Sequence, residues 1–411
     1  MDMRVIIILA AEAALAFCLI YRTVRPLRLA PLLCAALLTA AAFAARYLAL
    51  DYVTLDYRDF LSKWVDYFRN NGGFRALDQS VGNYNIPYLY FLAAFSYSDI
   101  NDLYLIKLLS IFFDVLLAYG SALVLSRFTE SKSRIIACFF TVLMLPTVFL
   151  NGSLWGQCDS TYAALAILGI YCALDGRPVL SMILAALSFG FKLQAVFVLP
   201  FYAVLWMKGK FKLRHFAVFP AAYILLVLPA VLLGRPFLET ITLYFNQTGS
   251  IGSGLNYNSP SIYSMFQYSL PQEYNAAASA FGIIAAAVYM TAILVACYVN
   301  RNRLTEKSIL AAALLFAIGI PFLLPHMHDR YFFAADILSV ITAFAAVRFS
   351  AIPLLVQFAS LLGYHAYLKL RYLLLMDRGA WALIAALILS LWFFVSALER
   401  KYYKFPYRKD A

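Results

Sequence analysis

Five short runs in this chain hold side chains suited to moving a group from an anionic leaving group to a hydroxyl. Asp56-Tyr57-Arg58-Asp59 lies in an acid-rich segment with Asp51, Asp66 and Asp78. Trp155-Gly156-Gln157-Cys158-Asp159 sets an indole, an amide and a carboxylate close together. Lys192 and Gln194 interrupt a largely apolar stretch between Pro178 and Trp206. Tyr244, Asn246 and Gln247 precede Asn256-Tyr257-Asn258-Ser259 in an amide-rich segment. His326-Met327-His328-Asp329-Arg330 puts two imidazoles beside a guanidinium. A carboxylate can take the proton of an attacking hydroxyl. Lysine neutralises a departing phosphate as a point charge, and arginine can clasp it bidentately.

Each run also has a plainer reading. Asp56 and Asp59 fit solvated loop acids, and Asp159 fits a helix-start charge that complements the macrodipole. Asp114, inside an apolar run, reads equally as interhelical glue and as a catalytic group. The His-x-His-Asp-Arg run suits a cation site or an anion cradle. Lys192 is the hardest to set aside, because a lysine within an apolar stretch costs about 3 kcal/mol on insertion scales. Snorkelling would relieve that cost, but its place at a helix break favours a cavity.

The elements that must position these groups belong to a membrane. The chain has 411 residues, 64% hydrophobic and 13% charged, with a mean hydropathy of +0.78. Soluble domains carry about a quarter charged residues, so a cytosolic enzyme, a disordered chain and a disulfide-stapled module are excluded. Runs near 5–21, 29–50, 105–126, 134–151, 158–174, 214–233, 276–298, 308–324, 331–347, 351–366 and 380–397 read as spans. The first is read as a retained span and not a signal peptide, since Asp2 weakens its n-region and Glu12 interrupts it. Pro178–Trp206 reads as two short helices broken near Lys192, each of ~14 residues and ~21 Å. Short helices of that kind are tolerated where they line a cavity. The total is thirteen spans in a single all-α polytopic domain covering 1–411. The six cysteines are scattered and show no CxxC spacing, so they read as small apolar residues.

The net charge of +12 would suggest a nucleic-acid partner in a soluble protein. Here it sorts by loop. Arg22, Arg25 and Arg28, then Arg127, Lys132 and Arg134, then Lys208, Lys210, Lys212 and Arg214, then Arg301, Arg303 and Lys307 fall in alternate loops. The tail at 399–411 adds Arg400, Lys401, Lys404, Arg408 and Lys409. Positive loops stay in the cytoplasm, so no nucleic acid is implied and the C-terminus lies inside. All five reactive runs then face the outside. The first extracytoplasmic loop, 51–104, carries helical spacing from Asp59 to Asn70 and an aromatic stretch from Tyr88 to Tyr97, both read as interfacial helices.

Carboxylates facing cations on the outer side suggest a transferase. Nucleotide sugars are scarce there, so the donor must arrive within the membrane, and a polyprenyl phosphate-linked sugar meets that need. Lys192, His326, His328 and Arg330 would hold the donor phosphate. Asp59, Asn83, Tyr84, Trp155, Gln157, Gln194 and Asn258 would meet the sugar or an extracytoplasmic glycan, lipid or protein acceptor. A transporter or lipid flippase, or a non-catalytic subunit of an envelope-assembly complex, are the alternatives.

The motifs also carry a resemblance. Asp56-Tyr57, Phe60 and Trp64, then Gly72-Gly73-Phe74, then Asn83-Tyr84-Asn85 before Pro87-Tyr88-Leu89-Tyr90 resemble the first outer loop of a GT-C glycosyltransferase. The likeness is to bacterial mannosyltransferase-like proteins related to the GPI-anchor second mannosyltransferase. Trp155–Ser160, Phe191–Gln194, Asn258-Ser259-Pro260 before Tyr263, and His326–Phe332 match the same group, in order along the chain. The resemblance implies a GT-C helical bundle with its active site above the membrane. It also implies an acid in the first outer loop acting as base, matched here by Asp56, and a second acid that helps bind a metal or the acceptor, matched by Asp159. Mg or Mn would be the cation. The family's acids are commonly adjacent, whereas Asp56 has Tyr57 beside it and Asp59 three residues on.

Overall fold

Apolar runs fold as helices because each backbone polar group is then satisfied within its own segment, as lipid demands. The computed structural model describes residues 2–244, 254–266 and 271–399. Asn246, Gln247 and the basic tail from Arg400 onward lie outside the described residues.

Met3–Val24 (α1) and Leu29–Ala49 (α2) pack as a hairpin. The segment after them holds two short helices, Ser62–Asn70 (α3) and Ile86–Phe95 (α4), where aromatic spacing places them. Asp102–Ser126 (α5) is mostly buried and packs against α1, against Lys132–Leu143 (α6) and against Asp159–Leu174 (α8). Between α6 and α8, Pro146–Phe149 (α7) runs into one wide turn, Leu150–Trp155. Pro178–Phe191 (α9), Pro200–Met207 (α10), Leu213–Phe216 (α11), Val218–Leu232 (α12) and Phe237–Ile241 (α13) follow. The last long helices are Asn275–Val299 (α14), Glu306–Leu323 (α15), Phe333–Ala345 (α16), Ala351–Lys369 (α17) and Asp377–Ser396 (α18). Asn256–Tyr257 (β1) pairs in parallel with Met327–His328 (β2).

Among the described residues, eight helices are long and apolar enough to cross a membrane, and the α6–α7 pair, bent by 42°, would make a ninth. The thirteen crossings expected from sequence are not reached by this measure. Helices stand where the other spans were expected, but α8, α9, the Leu193–Met207 stretch and α16 are shorter. The reason is visible in α8 and α16, whose residues are nearly all buried against protein. An apolar run reads the same whether it faces lipid or a core.

The long helices give the molecule two ends. At one, Arg127 pairs with Asp175 at 3.4 Å and with Glu306 at 3.6 Å, while Lys210 reaches Glu306 at 2.6 Å. Three of the basic loops are thereby gathered, together with the turn that carries Asp175. At the other end of α5, Ser110 donates to the Gln157 carbonyl at 2.8 Å. Asp114 lies between, bound to Arg46 at 3.1 Å and to the Ser160 hydroxyl. It ties α2, α5 and α8 together, which is the interhelical role.

Candidate active site

Asp56 stands at the head of one wide turn, Tyr57–Leu61, that leads into α3. Its carboxylate is held from across the molecule. Trp155 Nε1 donates to Oδ2 at 2.9 Å, and Gln157 Nε2 donates to the same oxygen at 2.6 Å. Gln157 is held in turn, because its Oε1 accepts from the Tyr84 hydroxyl at 2.9 Å. These partners come from the turn that closes before α8. Gly156 takes φ 78°, a left-handed conformation that side-chain-bearing residues seldom adopt, and so bends the chain between Trp155 and Gln157.

The second acid sits deeper. Asp159, at the first position of α8, is fully buried. Its Oδ1 accepts from Lys192 Nζ at 2.7 Å, and its Oδ2 accepts from Asn151 Nδ2 at 2.8 Å. Arg330 Nε lies 3.4 Å from Oδ2. Lys192 reaches this position because α9 ends there in extended backbone, φ −155° and ψ 134°, before the next short helical turn. The guanidinium of Arg330 also lies over the Trp155 ring, 5.0 Å from its centroid, and bonds Asp329 at 3.2 Å. One buried carboxylate thus organises two cations, beside the indole that holds the other acid.

Helix α17 braces both acids. Tyr364 accepts from Asn151 Nδ2 at 2.9 Å and meets the Trp155 ring edge-on at 5.6 Å. Tyr367, one turn later, stacks on Trp155 and accepts from the Asp56 backbone N–H at 3.1 Å. Their spacing of three places both on one helix face. Gly363 makes the approach feasible. A Cβ there would sit 2.7 Å from the Asp329 carbonyl and 2.9 Å from that of Asn258. Sequence reading assigned this helix only as a span, so Tyr364, Tyr367 and the partners Asn151 and Asp329 were missed as site residues.

The structure therefore brings together Asp56, Tyr84, Trp155, Gln157, Asp159, Lys192 and Arg330. Several expected roles change. Trp155 is fully buried and offers no open face to a sugar, so it positions Asp56 instead. Asp159 has no exposed oxygen and acts as a counter-charge. His328 stacks on Tyr257 at 4.7 Å, and burial, with Arg330 and Lys192 nearby, pushes its pKa down to about 4. It is neutral near pH 7 and adds no charge for a phosphate. His326, at φ 62°, bonds the Gly254 carbonyl at 2.7 Å and the Ser279 hydroxyl at 3.2 Å, which makes it a loop pin. Asn258 accepts from the Tyr372 hydroxyl at 2.8 Å. Asp59 pairs with the neighbouring Arg58 at 3.0 Å on the surface. Asn83 is exposed beside Tyr84, and Gln194 is buried two residues after Lys192.

Electrostatics separate the acids further. Burial pushes Asp329 up to about 7; Arg330 opposes the shift, while Asp56 and Asp159 add to it. Burial works against the charge of Arg330, but Asp329 and Asp159 hold its pKa well above the usual range. A divalent cation such as Mg or Mn fits this donor set poorly. The oxygens of Asp159 are taken by Lys192 and Asn151, and Oδ2 of Asp56 by Trp155 and Gln157. Among the described residues, no three His, Cys, Asp or Glu side chains gather to hold a metal ion.

The sequence pattern of glycosyltransferase family 87 matches residues 83–325, more than half of the chain. The chain belongs to glycosyltransferase family 87. A comparison with the curated proteins gives no match. Membership makes the protein a glycosyltransferase of GT-C-like type. The matched region holds Tyr84, Trp155, Gln157, Asp159 and Lys192 of the cluster, while Asp56, Arg330 and the bracing tyrosines lie on either side of it.

Proposed function

We propose that this glycosyltransferase moves a sugar, mannose or another hexose, from a polyprenyl phosphate-linked donor to an acceptor hydroxyl with inversion. The observation that carries the reading is the placement of Asp56 beside two organised cations, joined through Trp155. Oδ2 of Asp56 is fixed by two donors, so Oδ1 is the oxygen assigned to the base. It takes the acceptor proton as the hydroxyl oxygen bonds to the anomeric carbon. The bond from that carbon to the phosphate oxygen breaks, and the lipid phosphate leaves with the electron pair. Lys192 and Arg330 stabilise that developing charge from fixed positions, the main electrostatic contribution.

The placement of two cations supports an anionic donor. Lys192 and Arg330 are both drawn to Asp159, at 2.7 and 3.4 Å, so that a phosphate would meet two cations already fixed in place. A cavity of about 480 Å³ lined by Tyr263, Phe266, Phe281 and Leu323 lies next to the His326 pin and suits an isoprenoid chain. Basic loops at the opposite end favour an extracytoplasmic site and a cytoplasmic C-terminus in the cell membrane. The acceptor would then be an extracytoplasmic glycan, lipid or protein. Membership of a glycosyltransferase family favours this reading over the transporter, flippase and non-catalytic ones. The test is transfer by purified protein supplied with polyprenyl phosphate-linked hexoses. Asp56→Asn is expected to abolish turnover, and a variant that keeps full activity overturns the assignment.

A further inference from the structure

The connector between α17 and α18 is short, irregular and strongly apolar: Leu370-Arg371-Tyr372-Leu373-Leu374-Leu375-Met376. Its leucines are between 47% and 74% exposed. Leu370 is also held at φ 53°, the left-handed region that a bulky side chain adopts only with strain. Glycine would end a helix there without that strain. Nothing within the described residues covers the leucine that takes its place.

The connector is nonetheless held in position. Met376 is buried with Leu362 and Ala366. Tyr372 donates to Asn258 Oδ1 at 2.8 Å, and the Arg371 carbonyl lies 3.1 Å from His365 Nδ1. These anchors turn inward and leave the leucines facing out. The connector adjoins the active site, because Tyr367 on the preceding turn touches Asp56.

The flanking helices say what lies around it. The stretches ending at Lys369 and beginning at Asp377 both qualify as membrane spans. Helices of 19 and 20 residues rise ~28 and ~30 Å, the hydrocarbon thickness of a bilayer. A connector of this length between them sits at the level of the lipid headgroups. Lys369, Arg371 and Arg378 surround the leucines, all exposed, and cations at that depth meet lipid phosphates. Aqueous loops are usually polar, so this composition fits an interface.

We propose that the Leu370–Leu375 connector is inserted into the lipid leaflet on the active-site side, so that the mouth of the site is held at headgroup level. The occupant of the apolar surface is the lipid itself. Because the Tyr372–Asn258 bond joins this lip to the β1–β2 pairing, the site is fixed in height relative to the membrane.

Nitroxide labels at Leu374→Cys and, separately, Leu373→Cys test this in full-length protein with Cys18→Ala and Cys34→Ala, reconstituted in phosphatidylcholine vesicles. Gln79→Cys, exposed in the irregular stretch between α3 and α4, serves as the aqueous comparator. Both connector labels should be relaxed strongly by oxygen and several-fold less than the comparator by a water-soluble nickel chelate. Nickel access equal to the comparator would overturn the proposal. So would low access to both reagents, the pattern of a surface covered by protein. The readout does not depend on transfer activity, so it stands or falls apart from the catalytic assignment.

Discussion

Tyr367 lies flat on Trp155, with ring centroids 3.8 Å apart and planes 10° from parallel, while its hydroxyl accepts from the Asp56 backbone N–H at 3.1 Å. The same residue thus fixes the indole that bonds the Asp56 carboxylate and the backbone that carries it. Tyr364 does the corresponding work for the buried acid through Asn151. A helix beyond the matched family region sets the geometry of both carboxylates.

Tyr367→Phe keeps the stacked ring and removes the hydroxyl. A hydrogen bond between neutral groups contributes about 0.5–1.5 kcal/mol. If that contribution is made at the transition state, kcat falls by roughly 2- to 10-fold. Donor KM should move little, because the cations are untouched. Tyr367→Ala, which also loses the stack, should lower kcat further. Equal effects of Phe and Ala in steady-state kinetics would show that the hydroxyl alone matters.

Lys192→Met leaves Asp159 buried with Arg330, 3.4 Å away, as its remaining cation. Breaking a buried pair in this way costs about 3–5 kcal/mol, so the variant should melt well below the parent. Adding Asp159→Asn removes the stranded charge and should recover most of the melting temperature. Transfer should stay low in the double variant, since no lysine then faces the donor phosphate. Recovery of activity along with stability would reduce Lys192 to a structural role.

Much of this site was legible before any coordinates. Lys192 stands out because a charge is costly in an apolar stretch, Asp56 and Arg330 by residue type in irregular polar segments, and Gln157 and Asp159 by their short run with Trp155. The structure gathers all five. The helix break at Lys192 was equally readable, since a charge and an amide interrupt an apolar run. Tyr364 and Tyr367 were not legible: a tyrosine near the end of a span is common at interfaces, and only tertiary packing shows what its hydroxyl meets. Thirteen crossings are not confirmed for a related reason, since α8 and α16 are short and bury their apolar faces in protein. His326 and His328 drew attention by residue type, yet stacking, burial and loop pinning decide what they do.

Asp329 should give the enzyme a pH limb near neutrality. Its folded pKa is raised from 3.8 to about 7, chiefly by burial. The folded state therefore keeps a proton that the unfolded state loses, and stability falls as pH rises from about 4 to about 7, then levels. Ionisation also sets a negative charge against Arg330, 3.2 Å away, so donor KM should rise as pH passes 7. Asp329→Asn mimics the protonated acid. Its melting temperature should lose that downward slope with pH, and its donor KM should stay flat from pH 6 to 8. A wild-type slope retained in both measurements would place the titrating group elsewhere.

Lys107 supplies the last constraint on Asp56. Its buried ammonium donates to the carbonyls of Ala49 and Leu50 at 2.9 Å and of Tyr52 at 2.7 Å. It therefore caps the end of α2, where backbone acceptors are left without helical partners, and fixes the chain just before the base. Lys107→Met keeps the bulk of the side chain and removes all three bonds. The loss should be about 3 kcal/mol, given the value of hydrogen bonds from a charged donor. Transfer should fall together with stability, and limited proteolysis should quicken between Asp51 and Arg58. Lys107→Arg, which restores the charge and its donors, should recover part of both. If Lys107→Met melts early but transfers at the parental rate per folded molecule, the anchor serves the fold and not the placement of Asp56.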